Sequence, residues 1–103
     1  MKNIDYGTVN ITGGFWHEKA ELNRKITIDA VYDRFYDTGR ITAFEFNMKE
    51  SGITPHVFWD SDVAKWIEGA AMTLRTHPNA ELEAKIEKII DGIEKNRRAD
   101  GYF

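Results

Sequence analysis

The chain has 103 residues, with 14 basic and 17 acidic side chains and a net charge of −3. It is therefore long enough for one modest hydrophobic core, and it lacks the positive charge of a general nucleic-acid binder. No stretch approaches the ~20 uninterrupted apolar residues that a membrane span needs, so no membrane partner is expected. The absence of cysteine excludes disulfides, thiolate metal sites and a cysteine nucleophile within these residues. No apolar segment of the secretory type opens the sequence, and a cytoplasmic location is expected.

The N-terminal residues predict a short β-strand. Within residues 4–16, the run TVNIT at 8–12 alternates β-branched apolar residues with polar ones. Such alternation is typical of a half-buried strand. The adjacent Gly13-Gly14 predicts a turn that closes the strand.

A helix is predicted for residues 18–37, because apolar residues recur there every three to five positions. Its β-branched middle favours a break or bend near 26–29, where Thr27 or Asp29 could cap a second helical piece. Gly39 is expected to end the helix, since glycine adopts the left-handed conformation at little cost.

Residues 40–59 have no sustained period and contain several aromatic side chains, which predicts a long connection. The clearest helix of the sequence follows, with Asp60 or Ser61 as its N-cap and His77-Pro78 at its end. Its residues at helical spacing form one continuous apolar face, made of Val63, Trp66, Ile67, Ala70, Ala71 and Leu74.

Asn79 is expected to cap a further helix. Apolar residues again recur at helical spacing along it, at Leu82, Ile86, Ile89, Ile90 and Ile93. The opposite face alternates acidic and basic side chains and is interpreted as solvated.

One cluster has the composition of a sugar site. Asp60-Ser61-Asp62 lies beside Phe58-Trp59 and precedes Trp66. Carboxylates accept hydrogen bonds from sugar hydroxyls, and flat aromatic rings cover the apolar face of a sugar. The simpler interpretation is a helix cap beside core aromatics, with Trp66 in the core. The histidines at 17, 56 and 77 have no spacing that indicates a metal site.

Several short motifs occur in order along the chain. They are GFW at 14–16, NR at 23–24, TGR at 38–40, DSDVAKWIEGAA at 60–71 and DGYF at 100–103. Together they resemble the N-terminal segment of glycoside hydrolase family 127, the β-L-arabinofuranosidase family. The resemblance extends over essentially the whole chain, and the DSDVxKW block is its most specific part.

The resemblance implies a mainly α fold, in which residues 1–103 form the truncated N-terminal part of an (α/α)6-barrel catalytic domain. The short β segment would precede the first barrel helices. In such barrels the sugar cleft is built by loops at one end of the inward helices. The segment that enters the clearest helix and the turn near the end of the chain are therefore the expected substrate-binding residues, namely Trp59, Asp60, Ser61, Asp62, Asp100 and Tyr102.

The same resemblance implies a retaining hydrolase with a cysteine nucleophile, activated by zinc that cysteines and a glutamate hold. This sequence has no cysteine, so we assign it no catalytic residue, no metal ligand and no cofactor of its own. Zinc and carbohydrate belong to the full-length family.

Two kinds of function remain open from the sequence. The first is an N-terminal piece of a glycoside hydrolase that is inert alone. The second is a non-enzymatic helical module that binds carbohydrate or completes another subunit. In either case, exposed apolar faces are expected to promote self-association.

Overall fold

The computed structural model describes residues 2–102, and every regular element in that range is helical. The mainly α class predicted from the sequence is confirmed. The elements are a 3-10 turn Tyr6–Thr8, α1 Gly14–Leu22, a π-helical stretch Asn23–Thr27, α2 Ile28–Asp37, a second 3-10 turn Thr42–Glu45, α3 Met48–Ser51, α4 Trp59–Thr76 and α5 Ala80–Asn96. None of the described helices is both long and apolar enough to cross a membrane.

The strand predicted near the N-terminus is wrong for residues 2–102. Asp5 accepts a hydrogen bond from the Gly7 N–H at 3.0 Å and starts the 3-10 turn. Val9 is extended, with φ −100° and ψ 125°, but no neighbouring strand pairs with residues 9–12. The alternating pattern therefore gives extended backbone without a sheet, because a ladder needs a second strand. The expected turn at the glycine pair does occur, since Gly14 has a left-handed φ of +76° where α1 begins.

The helix predicted for 18–37 begins earlier, at Gly14, and does not break. A π-helical stretch, Asn23–Thr27, joins α1 to α2, so the wider helical turn occurs where a bend was expected. Thr27 keeps right-handed helical angles and makes no side-chain cap bond. The predicted cap is therefore wrong, because no helix terminus forms there. Gly39 ends the helical run with φ +74°, as predicted.

Helices α4 and α5 form an antiparallel hairpin, which brings the start of α4 and the end of α5 to the same end of the molecule. His77 ends α4, and the Asn79 Oδ1 atom accepts the N–H groups of Glu81 and Leu82 at 3.0 and 3.1 Å. Both boundaries agree with the sequence prediction. The cap accounts for free N–H groups at the start of α5 that would otherwise lack partners.

The core lies between α2, the hairpin and the second 3-10 turn. It is formed by the apolar side chains of Ile28, Tyr32, Phe44, Val63, Trp66, Ala70, Leu82, Ile86 and Ile89. Each large side chain buried here stabilises the fold by about 1.5–3 kcal/mol. Trp66 also donates its indole N–H to the Ile28 carbonyl at 2.9 Å, so it belongs to the core. On the predicted apolar faces, Ala71 and Ile90 remain exposed.

An ion pair also joins two of the core helices. Lys85 on α5 contacts Asp29 on α2 at 2.7 Å, and its ammonium lies 5.2 Å from the centre of the Tyr32 ring. The hydrogen bond to Asp29 raises the pKa of Lys85 above its ordinary 10.5. The charged form therefore holds α5 against α2 throughout the neutral range.

Candidate functional site

The predicted sugar-binding cluster lies at the N-terminus of α4, where backbone N–H groups have no helical partner. The helix begins at Trp59, and its N-cap residue Phe58 offers no side-chain cap. The expected N-cap at Asp60 or Ser61 is therefore wrong, because both residues already lie in the first helical turn. Asp60 accepts the Ser61 N–H at 2.7 Å, and the Ser61 hydroxyl donates to the Phe58 carbonyl at 3.2 Å.

Asp62 faces a different neighbour from Asp60. Its Oδ2 atom accepts a hydrogen bond from the Arg40 Nε–H at 3.0 Å. Arg40 also donates to the Thr38 hydroxyl at 2.7 Å, and its guanidinium lies 5.3 Å from the centre of the Phe35 ring. Asp62 thus ties the start of α4 to the segment that follows α2. The negative charge also lies near the positive end of the α4 dipole, which is favourable.

Trp59 packs among aromatic rings beside the core. Its ring lies edge-on to Phe44 at 4.7 Å and to Phe46 at 6.5 Å between centroids. Phe46 has a left-handed backbone, with φ 53° and ψ 28°, a conformation that a bulky residue adopts only at a cost. The indole is therefore held by two neighbouring rings, and Trp59 remains only half-buried.

A shallow depression of about 330 Å³ opens beside this helix start. Asp60 and Ser61 border it, and its walls are mostly apolar, from Phe44, Ala64, Ile67 and Ile93. The combination of a few polar groups with apolar walls is typical of a small-molecule site. Trp59 and Asp62 do not line the depression, so the structure divides the four predicted residues into two that line it and two beside it.

The other predicted residues, Asp100 and Tyr102, lie in a turn after α5. The Asp100 side chain accepts the Tyr102 N–H at 3.0 Å, and Gly101 has a left-handed φ of +83°. Arg98 contacts Asp100 at 3.3 Å and lies 5.7 Å from the centre of the Tyr102 ring. The hairpin brings this turn to the same end as the start of α4.

The two groups of predicted residues do not touch through polar contacts. Among the described residues, no hydrogen bond or ion pair joins Asp60, Ser61 or Asp62 to Asp100 or Tyr102. The structure therefore brings them to one end of the molecule without making them one site.

A larger depression, of about 640 Å³, was missed by sequence reasoning and lies at the opposite end of the hairpin. The N-terminal residues 6–11 form one wall, and His17, Glu21, Arg75 and His77 contribute polar groups. The sequence contained one indication of this depression, namely the four-residue spacing of His17 and Glu21, which puts both on one face of α1. Arg75 and His77 come from the far end of α4, and their approach to α1 could not be read from spacing.

Glu21 in this depression is held as a carboxylate. Arg24 donates to both of its oxygens, at 3.1 and 2.7 Å, and Lys25 approaches to 2.8 Å. These hydrogen bonds, led by that of Arg24, lower the pKa of Glu21 from 4.5 to about 2. A carboxylate so stabilised is a hydrogen-bond acceptor and a poor proton donor at neutral pH.

The zinc implied by the resemblance does not fit the residues present. The sequence has no cysteine, and within residues 2–102 no group of three His, Asp or Glu side chains is arranged to hold a metal ion. No step of a reaction is therefore assigned to a metal in this chain.

Comparison with known proteins identifies the class. A sequence model described as β-L-arabinofuranosidase, GH127 catalytic domain, matches residues 8–103. The chain therefore belongs to glycoside hydrolase family 127.

A particular relative is the non-reducing end β-L-arabinofuranosidase of Bifidobacterium longum subsp. longum, which is 48% identical over 47 residues. The match covers 46% of this chain and 7% of the relative, so this chain spans only a small part of that protein's length. No solved structure gives a significant match.

Proposed function

We propose that this chain forms the N-terminal part of the catalytic domain of a retaining glycoside hydrolase that removes terminal β-L-arabinofuranosyl groups. The observation that carries the proposal is the match of the GH127 catalytic domain to residues 8–103. In this proposal, residues 1–103 begin an (α/α)6 barrel in which α4 and α5 are consecutive barrel helices. The predicted cytoplasmic location stays a prediction.

The sugar is proposed to bind at the end of the hairpin where α4 begins. Asp60 and Ser61 border an open depression there and offer a carboxylate, a hydroxyl and the positive end of a helix dipole to sugar hydroxyls. Tyr102, which is 68% exposed, and Asp100 do not line this depression and are proposed to contact the sugar separately, from the turn after α5. Trp59 and Asp62 hold the helix start in place through their contacts with Phe44 and Arg40.

The chain alone is proposed to be inert. Covalent catalysis of the retaining type needs a nucleophile, and the cysteine that the family resemblance implies is absent from this sequence. The purified chain should therefore release no product from an aryl β-L-arabinofuranoside. Turnover that persists after the host's own glycosidases are removed would contradict this assignment.

The sugar site can be tested in a full-length family member that carries the same DSDV sequence. Asp60→Ala is expected to lower kcat/KM tenfold or more, about 1.4 kcal/mol of transition-state stabilisation, with little change in Tm. Asp62→Ala is the matched control. It breaks the ion pair with Arg40 and should cost about 1 kcal/mol of stability. If Asp60→Ala lowers Tm and leaves kcat/KM unchanged, Asp60 only stabilises the helix.

We also infer that the isolated chain self-associates. Several large apolar side chains are about half exposed or more, among them Phe15, Trp16, Phe46, Val57 and Phe58. Phe15 and Trp16 adjoin, with 5.1 Å between their ring centroids, and adjoining exposed apolar side chains favour association with another protein surface.

A further inference from the structure

Val9, which follows the first 3-10 turn, is extended, with φ −100° and ψ 125°, and residues 10–12 lie outside any helix. In extended backbone, the N–H and C=O groups of alternate residues point to the same side. On the edge formed by Val9 and Ile11, the Val9 N–H donates to the Tyr6 carbonyl at 3.0 Å. The Ile11 carbonyl on that edge is 2.7 Å from the Nδ1 atom of His17. That edge is therefore engaged within the chain.

The opposite edge, formed by Thr8, Asn10 and Thr12, is largely unused. The Thr8 N–H donates to the Asp5 carbonyl at 2.9 Å. Within residues 2–102, the Thr8 carbonyl and the backbone groups of Asn10 and Thr12 make no hydrogen bond. These residues are exposed, so the groups are available to another extended segment.

The sequence of this segment is nearly symmetric about Asn10. Read in either direction, TVNIT places threonines at the ends and β-branched apolar residues next to a central asparagine. In an antiparallel pair of identical segments with a two-fold axis at Asn10, the Thr8 carbonyl at the end of the 3-10 turn faces the Thr12 N–H of the second copy. Val9 then faces Ile11 of the second copy. A β-branched pair such as Val9 and Ile11 is favourable across strands, and two-fold symmetry is the commonest symmetry of homo-oligomers.

Charge also favours a second copy as the partner. No charged residue lies between Asp5 and His17, so identical segments meet without repulsion. Val9 and Ile11 are 55% and 47% exposed and would cover each other in the pair. An uncharged, proline-free edge rich in β-branched residues is the kind that pairs with its own copies.

We propose that residues 8–12 pair antiparallel with the same residues of a second copy of the chain, with the two-fold axis at Asn10. The pair gains about four backbone hydrogen bonds, from each Asn10 N–H to the other Asn10 carbonyl and from each Thr12 N–H to the other Thr8 carbonyl. This inference rests on the self-association proposed above and adds residues 8–12 to its contact surface.

The register can be tested by charge pairing at the axis. Asn10→Lys and Asn10→Glu each place like charges opposite one another, so each variant alone should sediment as a monomer at concentrations where the wild-type chain is a dimer. An equimolar mixture should restore the dimer, because lysine then faces glutamate. Asn3→Lys and Asn3→Glu are the matched controls, since Asn3 is exposed and lies outside the segment. Both control variants should remain dimeric.

Hydrogen exchange provides a second measurement on the wild-type chain. The amides of Asn10 and Thr12 should become protected as the concentration rises, while that of Ile11, on the other edge, should not. A wild-type chain that is monomeric throughout would overturn both self-association and strand pairing. A dimer that the Asn10 variants leave intact would overturn the strand pairing alone and assign self-association to another surface. The helical circular dichroism of the variants serves as the folding check.

Discussion

Asp60 and Asp62 lie two positions apart in the first turn of α4 and have different surroundings. Asp62 is part of an ion pair with Arg40, whose side chain is 19% exposed, whereas Asp60 is exposed and borders a depression. Both carboxylates favour the helix start through its dipole. At the scale of single residues, the same chemical group is therefore paired with an arginine at one position and borders a depression at the other.

The stability of helix α1 is expected to depend on pH through a single residue, Glu21. Its pKa is lowered from 4.5 to about 2 because Arg24 and Lys25 stabilise the charged form in the fold. The ionised Glu21 carboxylate therefore stabilises the fold above pH 4.5, and this contribution to stability is lost as the pH falls from 4.5 towards 2. Helix content of α1, followed by NMR, should decrease in this window.

Glu21→Gln is the control for this titration. It removes the titrating group, so the variant should show little pH dependence attributable to this site between pH 4.5 and 2. Since the pair of Glu21 and Arg24 is still partly open to solvent, the effect should be small and should weaken with added salt. An identical pH profile in the variant and the wild type would contradict the assignment.

At the scale of elements, the junction after α2 depends on backbone conformation and on close packing. Gly39 has a φ of +74°, and a Cβ atom there would collide with the Cγ2 atom of Ile53. The next residue, Arg40, reaches Asp62 on α4. The glycine thus allows the chain to turn tightly and sets the approach of the arginine to the candidate site.

Gly39→Ala and Gly52→Ala separate these two requirements. Gly52 has a similar φ of +68° but open space around it, so its substitution should cost about 1–2 kcal/mol from backbone strain alone. Gly39→Ala should cost about 1–3 kcal/mol more, because the new methyl group collides with Ile53. Urea unfolding of both variants measures the difference, and equal costs would show that the contact with Ile53 relaxes freely.

At the scale of the whole molecule, the chain is more extended than a compact domain of its length. Its radius of gyration is 16.1 Å, whereas about 13 Å is typical of 100 residues. Helix α1 and the π-helical stretch contain no buried residue, while α2, α4 and α5 share the core. Stability is therefore expected to be uneven along the chain.

Amide hydrogen exchange should reveal this unevenness. Amides in the middle of α4 and α5, near Ala70 and Ile86, should exchange through the largest opening free energies in the chain. Amides of residues 18–27 should exchange through local fraying, because few apolar contacts oppose it. Equal protection in both regions, measured at concentrations where the chain is monomeric, would contradict this view.

Local sequence patterns determined most of the helical architecture. The cap at Asn79, the end of α4 at His77 and the glycine after α2 each depend on residues within a few positions, so they could be predicted. The apolar spacing of α4 and α5 likewise indicated the faces that form the core. The motifs also indicated the family, and they placed the candidate sugar residues at the start of α4 and in the turn after α5.

Only the tertiary structure decided what those residues contact. Arg40 and Asp62 are far apart in sequence, so no local pattern shows that Asp62 has an ion-pair partner and Asp60 has none of this kind within residues 2–102. The local sequence likewise does not show that Arg75 and His77 approach the wall formed by residues 6–11. The strand prediction failed for the same reason, since the TVNIT pattern describes a segment suited to a sheet but cannot supply the partner. A helix satisfies its own backbone hydrogen bonds, whereas a strand, an ion pair or a binding site needs a second segment brought close in space.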